Sequence, residues 1–396
     1  PLTGIRALKN QCLNTVTRRN GRKFTILLHH QKSRNNKSTN SFFLGCLAYL
    51  RQMEWTKKIY IFLIIVTTVV VLIYAQSIII PFILAILFWF LIRVIKKVLS
   101  KIKFISRFPK WLLSVISSLL LLSFLVFVIG MIRQNIQMLS QTLPLYEQNV
   151  NKITNLINQK YQIDLMQLLN NFAQDLDFGQ MLTRIFSALT GIFGDAFIVL
   201  LYLIFILLEE STFPKKLKRM YPDVNKYKSM KQLVSKIDRS IGYYIAMKTL
   251  TSFLTGFFSY FALLVIGVDG PLFWAFLIFI LNFIPTIGSL IATTFPAIFA
   301  ILQLGEIAPG VLVLAIVGAI QLIVGNILEP RIMGSSLNIS PLVVFLTLIM
   351  WGVIWGIPGM LLSVPITVIL IIIMSEFQAT RPFAILLSQR GKINKS

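Results

Sequence analysis

Two charge-free blocks, residues 272–302 and 341–374, are the strongest constraint on this chain: they run for 31 and 34 residues. Each is longer than the roughly 20 apolar residues that cross a hydrocarbon core of about 30 Å. Apolar runs close to that length recur upstream, and only 13% of the residues are charged, against about a quarter in a soluble domain. The chain therefore reads as all-α, a polytopic helical membrane protein of about eight transmembrane spans. An outer-membrane barrel would show short alternating segments instead of continuous apolar runs.

The formal charge of +24 sits in three blocks that flank apolar spans: the N-terminus, 96–110 and 209–240. Basic flanks mark the cytoplasmic face, and this distribution argues against a nucleic-acid partner. Residues 1–52 carry ten Lys and Arg, nine of them from Arg6 to Lys37, and no acidic residue. They read as a disordered or non-native N-terminal extension, with an organellar transit peptide as the alternative. The first three spans occupy 53–132. Residues 133–184 are balanced in charge, and Tyr146, Val150, Ile153 and Ile157 lay an apolar stripe along a helix. A second stripe holds Leu165, Leu168, Leu169 and Phe172, so the segment reads as extracytoplasmic amphipathic helices. A fourth span (185–208), a basic cytoplasmic segment (209–240), a core with broken helices (241–374) and a cytoplasmic tail (375–396) complete the layout. If each long block crosses once with a kinked or re-entrant half, the total is eight crossings and both termini are cytoplasmic in a plasma (inner) membrane.

The long blocks are interrupted, which a plain anchor would avoid. The stretch "ILNFIPTIGSLIATTFP" contains Asn282, Pro285 and Gly288; proline withholds a backbone donor and clashes with the preceding turn. A broken helix at membrane depth exposes N–H and C=O groups, tolerated where protein covers them or where they line a wet cavity. The break reads either as part of a substrate or ion pathway or as a packing kink. A second interruption, "GNILEPRIMGSSLNISP", adds Asn326, Glu329, Pro330, Gly334 and Pro341. Its prolines are spaced as Pro285 and Pro296 are, which suggests an internal repeat of the kind transporters use. Glu329 and Arg331 are either a gate pair or residues near a membrane surface. "WGVIWGIPGMLLSVP" supplies further hinge positions: Gly352, Gly356, Gly359 and Pro365. Asp195, in the fourth span, is a candidate for proton or cation coupling, or a polar cap at a helix bend.

Enzyme motifs are missing. His29 and His30 are the only histidines, so zinc-protease and Ser-His chemistry lack a ligand or base. Neither a metal site nor a cofactor motif is present, and no G-x-x-x-x-G-K loop supports ATP-driven transport.

The C-terminal half resembles the autoinducer-2 exporter family of bacterial membrane proteins. The family pattern Asn-x-x-Pro-x-x-Gly falls on Asn282, Pro285 and Gly288, and Pro-x-x-x-Gly on Pro330 and Gly334. Trp-Gly…Gly-x-x-Gly…Pro falls on Trp351, Gly352, Gly356, Gly359 and Pro365. The chain departs from the pattern at Thr286, where an aromatic is common, and at Ser289, where proline is. The resemblance implies an eight-span permease, compatible with a homo-oligomer, that moves a small polar solute outward or exchanges cations for protons. Its partners are then the lipid bilayer and that solute or cation. A secondary exporter of a signalling molecule or metabolite is the leading reading. A sodium/proton antiporter and a non-transporting scaffold are the alternatives.

Overall fold

The computed structural model describes residues 59–60, 62–104, 107–161, 196–333, 338–389 and 391. The chain divides into two units, Pro1–Tyr74 and Ala75–Ser396. In the first, helix α1 (Phe62–Tyr74) is apolar, and Thr68 hides its hydroxyl by donating to the Ile64 carbonyl at 2.7 Å.

The second unit contains α2 (Gln76–Leu99), α3 (Lys110–Tyr161), α4 (Ala196–Glu210), α5 (Phe213–Met220) and α6 (Val224–Ile266). After these come α7 (Pro271–Leu281), α8 (Ile287–Leu304), α9 (Ile307–Leu322), a π-helical segment (Ile323–Leu328) and α10 (Glu329–Met333), then α11 (Pro341–Glu376) and α12 (Arg381–Leu387). Among the described residues 6 helices are long and apolar enough to cross a membrane, or 7 if the α4–α5 pair, bent by 65°, is one span. Large apolar side chains such as Phe127, Phe197, Phe258, Val265 and Val353 face outward, as expected of a polytopic protein whose solvent is lipid. Helix α3 carries the third span onward through residue 161 without interruption. Of the expected stripe on 146–157, Ile153 is buried; the other three side chains, the second stripe and Asp195 lie outside the described residues.

Helices α2, α4 and α6 are tied together at their basic ends. Arg93 of α2 binds Asp238 of α6 through both guanidinium NH groups, and its Nε lies 3.8 Å from Glu210 of α4. Trp89 donates its indole N–H to Glu210 at 2.9 Å, and Arg93 sits over the Trp89 ring at 4.8 Å. From this level α6 rises to its far end at Gly267, which takes the left-handed conformation that closes the helix.

Two helical hairpins follow. In the first, α7 and α8 run antiparallel: the rings of Trp274 and Phe299 are 5.0 Å apart. At the base, Gln303 accepts from the Asp269 N–H at 2.8 Å and donates to the Gly267 carbonyl at 3.0 Å. Helix α7 has 11 residues and rises about 16 Å, half a hydrocarbon core. The block therefore folds back on itself between α7 and α8. Helix α11 also doubles back, at Gly356 (φ 63°, ψ −141°). A methyl group on Gly359 would overlap the Trp351 carbonyl, whereas eight residues of continuous helix separate such groups by about 12 Å. Val343 and Val344 of the first arm share an apolar cluster with Val364, Val368 and Ile372 of the second. At the base Ser340 N–H bonds the Leu387 carbonyl at 3.1 Å and Gln389 N–H the Asn338 carbonyl at 3.2 Å. Both long blocks thus reverse direction within themselves, the first at 282–288 and the second at Gly356. Apolar content alone does not distinguish a crossing from a return.

Between the hairpins, α9 and α10 run back along α6: Lys248 meets Glu329, and the Tyr243 hydroxyl donates to the Ile332 carbonyl at 2.6 Å. The first hairpin therefore enters from the end of α6 remote from the basic residues, and the second from the basic end. Their tips meet. Leu348, Ile357, Met360 and Leu361 of the second hairpin belong to the same apolar cluster as Leu281, Ile284 and Ile287 of the first.

Candidate translocation site

The apex of the first hairpin is built by residues 282–288. Asn282 ends α7, and the chain then turns through Pro285 and Thr286. The Ile287 N–H bonds the Pro285 carbonyl at 2.6 Å, a γ-turn centred on Thr286 at φ 60°, ψ −59°. A β-branched residue rarely adopts positive φ, and such a position costs about 1–3 kcal/mol unless the surroundings impose it. Gly288 is buried, and a methyl group there would overlap the Leu281 carbonyl. Glycine is the residue that lets the two arms close this tightly.

Facing this apex is one side of α6. Lys248, Thr251, Ser252, Thr255 and Ser259 are buried at the i, i+3, i+4, i+7, i+11 spacing of a single helical face. Asn282 donates to the Ser252 hydroxyl at 3.2 Å. One turn earlier, Lys248 is 5% exposed and donates to both carboxylate oxygens of Glu329, at 2.8 and 2.9 Å. Lys248 stands ten residues beyond Asp238 on α6, or about 15 Å further along the axis, near the middle of a 30 Å core if Asp238 marks its edge. Glu329 follows the π-helical segment, whose wider turn is a common mark of functional sites. Four buried polar atoms here and nearby have no hydrogen-bond partner among the described residues: Thr249 Oγ1, Ser259 Oγ, Gln321 Nε2 and Trp351 Nε1.

The structure places the expected pathway residues unevenly. Asn282 and Glu329 reach neighbouring turns of α6 through Ser252 and Lys248. Pro285 is half-buried at the apex, while Asn326 and Pro330 are exposed on the outer side of their helix. Arg331 is exposed too, and Glu329 pairs with Lys248 in its place. Pro341 starts α11, Gly352 and Pro365 lie on its two arms, Gly356 is its turning point, and Gly359 seats one arm on the other. Gly334 lies outside the described residues. The second break matching that of 282–288 is thus the one at Gly356, and 326–341 connects the two hairpins.

Sequence reasoning misses Lys248. The available signal is a lone cation inside "IGYYIAMKTLTSFLTGFFSYFALLVI", followed by hydroxyl residues on the same helical face. An ionisable residue within a span is a functional candidate by default.

A broken hairpin, a buried ion pair and a polar helix face brought together are features that membrane transporters use, and sequence comparison agrees. The profile described as "AI-2E family transporter" matches residues 61–379. The chain belongs to the AI-2E family of transporters. It is 33% identical over 323 residues to the AI-2 transport protein TqsA of Escherichia coli K12, covering 81% of this chain and 92% of that protein. A putative transport protein of Haemophilus influenzae is 31% identical over 321 residues, covering 79% of this chain and 90% of the relative. A putative transport protein of Borreliella burgdorferi is 33% identical over 258 residues, 64% of this chain and 70% of its own length. The AI-2E match spans α1 through the end of α11, so both hairpins and the Lys248–Glu329 pair lie within it.

Proposed function

We propose that this AI-2E family member is a secondary transporter that exports a small polar solute across the plasma membrane, by way of the seam where the two hairpin tips approach α6. The observation that carries the reading is the juxtaposition on α6 of Asn282–Ser252 and Lys248–Glu329, one helical turn apart. Broken helices with polar residues at the bilayer midplane are where repeat-built transporters bind substrate. Asn282 offers an amide that donates and accepts without the desolvation cost of a charge. The paired charges of Lys248 and Glu329 keep the seam neutral overall, which suits a polar solute better than a lone ion. The relative named for AI-2 transport makes a signalling molecule of that size a reasonable cargo.

AI-2 efflux from cells carrying the chain tests the reading directly. Asn282→Ala should cut the efflux rate about tenfold or more while leaving protein level and melting unchanged, because the side chain makes one hydrogen bond of about 1 kcal/mol. Unchanged efflux in a well-assembled variant would remove Asn282 from the pathway. Cation exchange is the second reading, favoured by the carboxylate of Glu329 in the same seam. Proton flux driven by a sodium gradient in proteoliposomes, without solute, would establish it.

A further inference from the structure

We propose that α5 and the first turns of α6 form a docking surface for the headgroups of anionic phospholipids. The proposal stands on charge and exposure at the basic end of the molecule and does not depend on the transported solute. Residues 209–239 hold nine Lys and Arg and four acids. Every one of those acids is engaged within the protein. Glu209 binds Lys216 at 2.5 Å, Glu210 takes Trp89 and Arg93, and Asp238 takes Arg93. Asp223 caps α6 by accepting from the Asn225 and Lys226 N–H groups at 2.9 Å. Lys236 reaches Glu376 at 3.8 Å. Lys215, Lys218, Arg219, Lys226, Lys228 and Lys231 are exposed and have no carboxylate partner among the described residues.

The surroundings of these cations select a lipid over other polyanions. In α5, Phe213, Leu217 and Met220 form an apolar stripe at i, i+4, i+7, with Lys215, Lys218 and Arg219 on the other side. Leu217 is buried against the protein, but Phe213 is 44% and Met220 70% exposed, and Val224 beside them is 77% exposed. Apolar groups adjoining unpaired cations fit the boundary between headgroups and acyl chains, where an amphipathic helix lies in the membrane plane. The bend of 65° from α4 brings α5 into that orientation: a spanning helix tilts by about 20° on average. A nucleic acid or an acidic protein would satisfy the charges and leave Phe213 and Met220 uncovered.

Native mass spectrometry of the purified full chain tests this in neutral detergent, with equal phosphatidylglycerol and phosphatidylcholine of the same acyl chains. Phosphatidylglycerol should be retained in roughly tenfold preference, since each basic residue near an anionic surface multiplies affinity about fivefold. The Lys215→Gln/Lys218→Gln/Arg219→Gln variant should lose most of that preference, while Lys215→Arg/Lys218→Arg keeps it. Water-soluble glycerol phosphate should not displace the lipid, which separates a headgroup from free phosphate. Equal retention of the two lipids, or full preference in the folded Gln variant, would overturn the proposal. So would displacement of phosphatidylglycerol by glycerol phosphate, by an RNA oligonucleotide or by an acidic peptide.

Discussion

Lys248 carries a charge into the middle of a helix whose neighbours are otherwise apolar or hydroxylated, and it is held there by a carboxylate 81 residues further along the chain. Removing one member of a buried pair strands the other, at a cost of about 3–5 kcal/mol, whereas replacing both by apolar residues of similar volume is often neutral. Lys248→Met should therefore lower the melting temperature of the solubilised protein steeply, and Lys248→Met/Glu329→Met should recover most of the loss. Solute efflux should be lost in both, which distinguishes a working pair from a structural one. The same residue shows where sequence legibility ends. Asn282, Pro285 and Gly288 announce themselves because proline and glycine have local meaning in a helix. Lys248 does not, because its span has apolar residues enough to insert regardless, and its partner is identified by packing alone.

The elements that matter most are the two hairpins, and each is closed by a part of the chain outside itself. Asn149, beyond the membrane stretch of α3, donates its amide to the Leu302 and Gln303 carbonyls at 2.9 Å each. These are orphan acceptors at the C-terminus of α8, which has no further turn to satisfy them. Asn149→Ala should cost about 1–2 kcal/mol, read as faster amide hydrogen exchange in the last turn of α8 and the following 305–308 with little change in the centre of α6. Equal exchange in both proteins would mean that the base is held by Gln303 and Asp269 alone. Composition made the broken character of 272–302 and 341–374 evident. It left a kinked span and a returning hairpin both open, since the two bury equally apolar arms; the difference lies in contacts such as Trp274 with Phe299. The neutral character of 133–184 is equally plain, but its tie to the base of a hairpin rests on Asn135 and Asn149, which lie against Gly270 and Gly305, more than 130 residues away in sequence.

For the molecule as a whole, the opposite entry of the hairpins fixes a sidedness that labelling can read. Basic segments are retained in the cytoplasm during insertion, so the base of α11 should face the cytoplasm and the base of α8 the exterior. With Cys12 and Cys46 replaced, single cysteines at Glu306 and Gln378 should divide: an impermeant thiol reagent should label Glu306→Cys in intact cells and Gln378→Cys only after lysis. The reverse pattern would invert the protein. The second hairpin has one more property of this scale. Its base is completed by Leu387, Ser388 and Gln389, which bond to residues 338–340. At about 5–20 residues per second of synthesis, roughly 2 to 10 s pass between the appearance of Pro341 and that of Gln389. During that interval the ribosome has delivered the reversing apex but not its closure. Residues 387–389 thus act as a completion signal: a message truncated just short of them would encode every helix named above through α11 and leave the second hairpin unfastened.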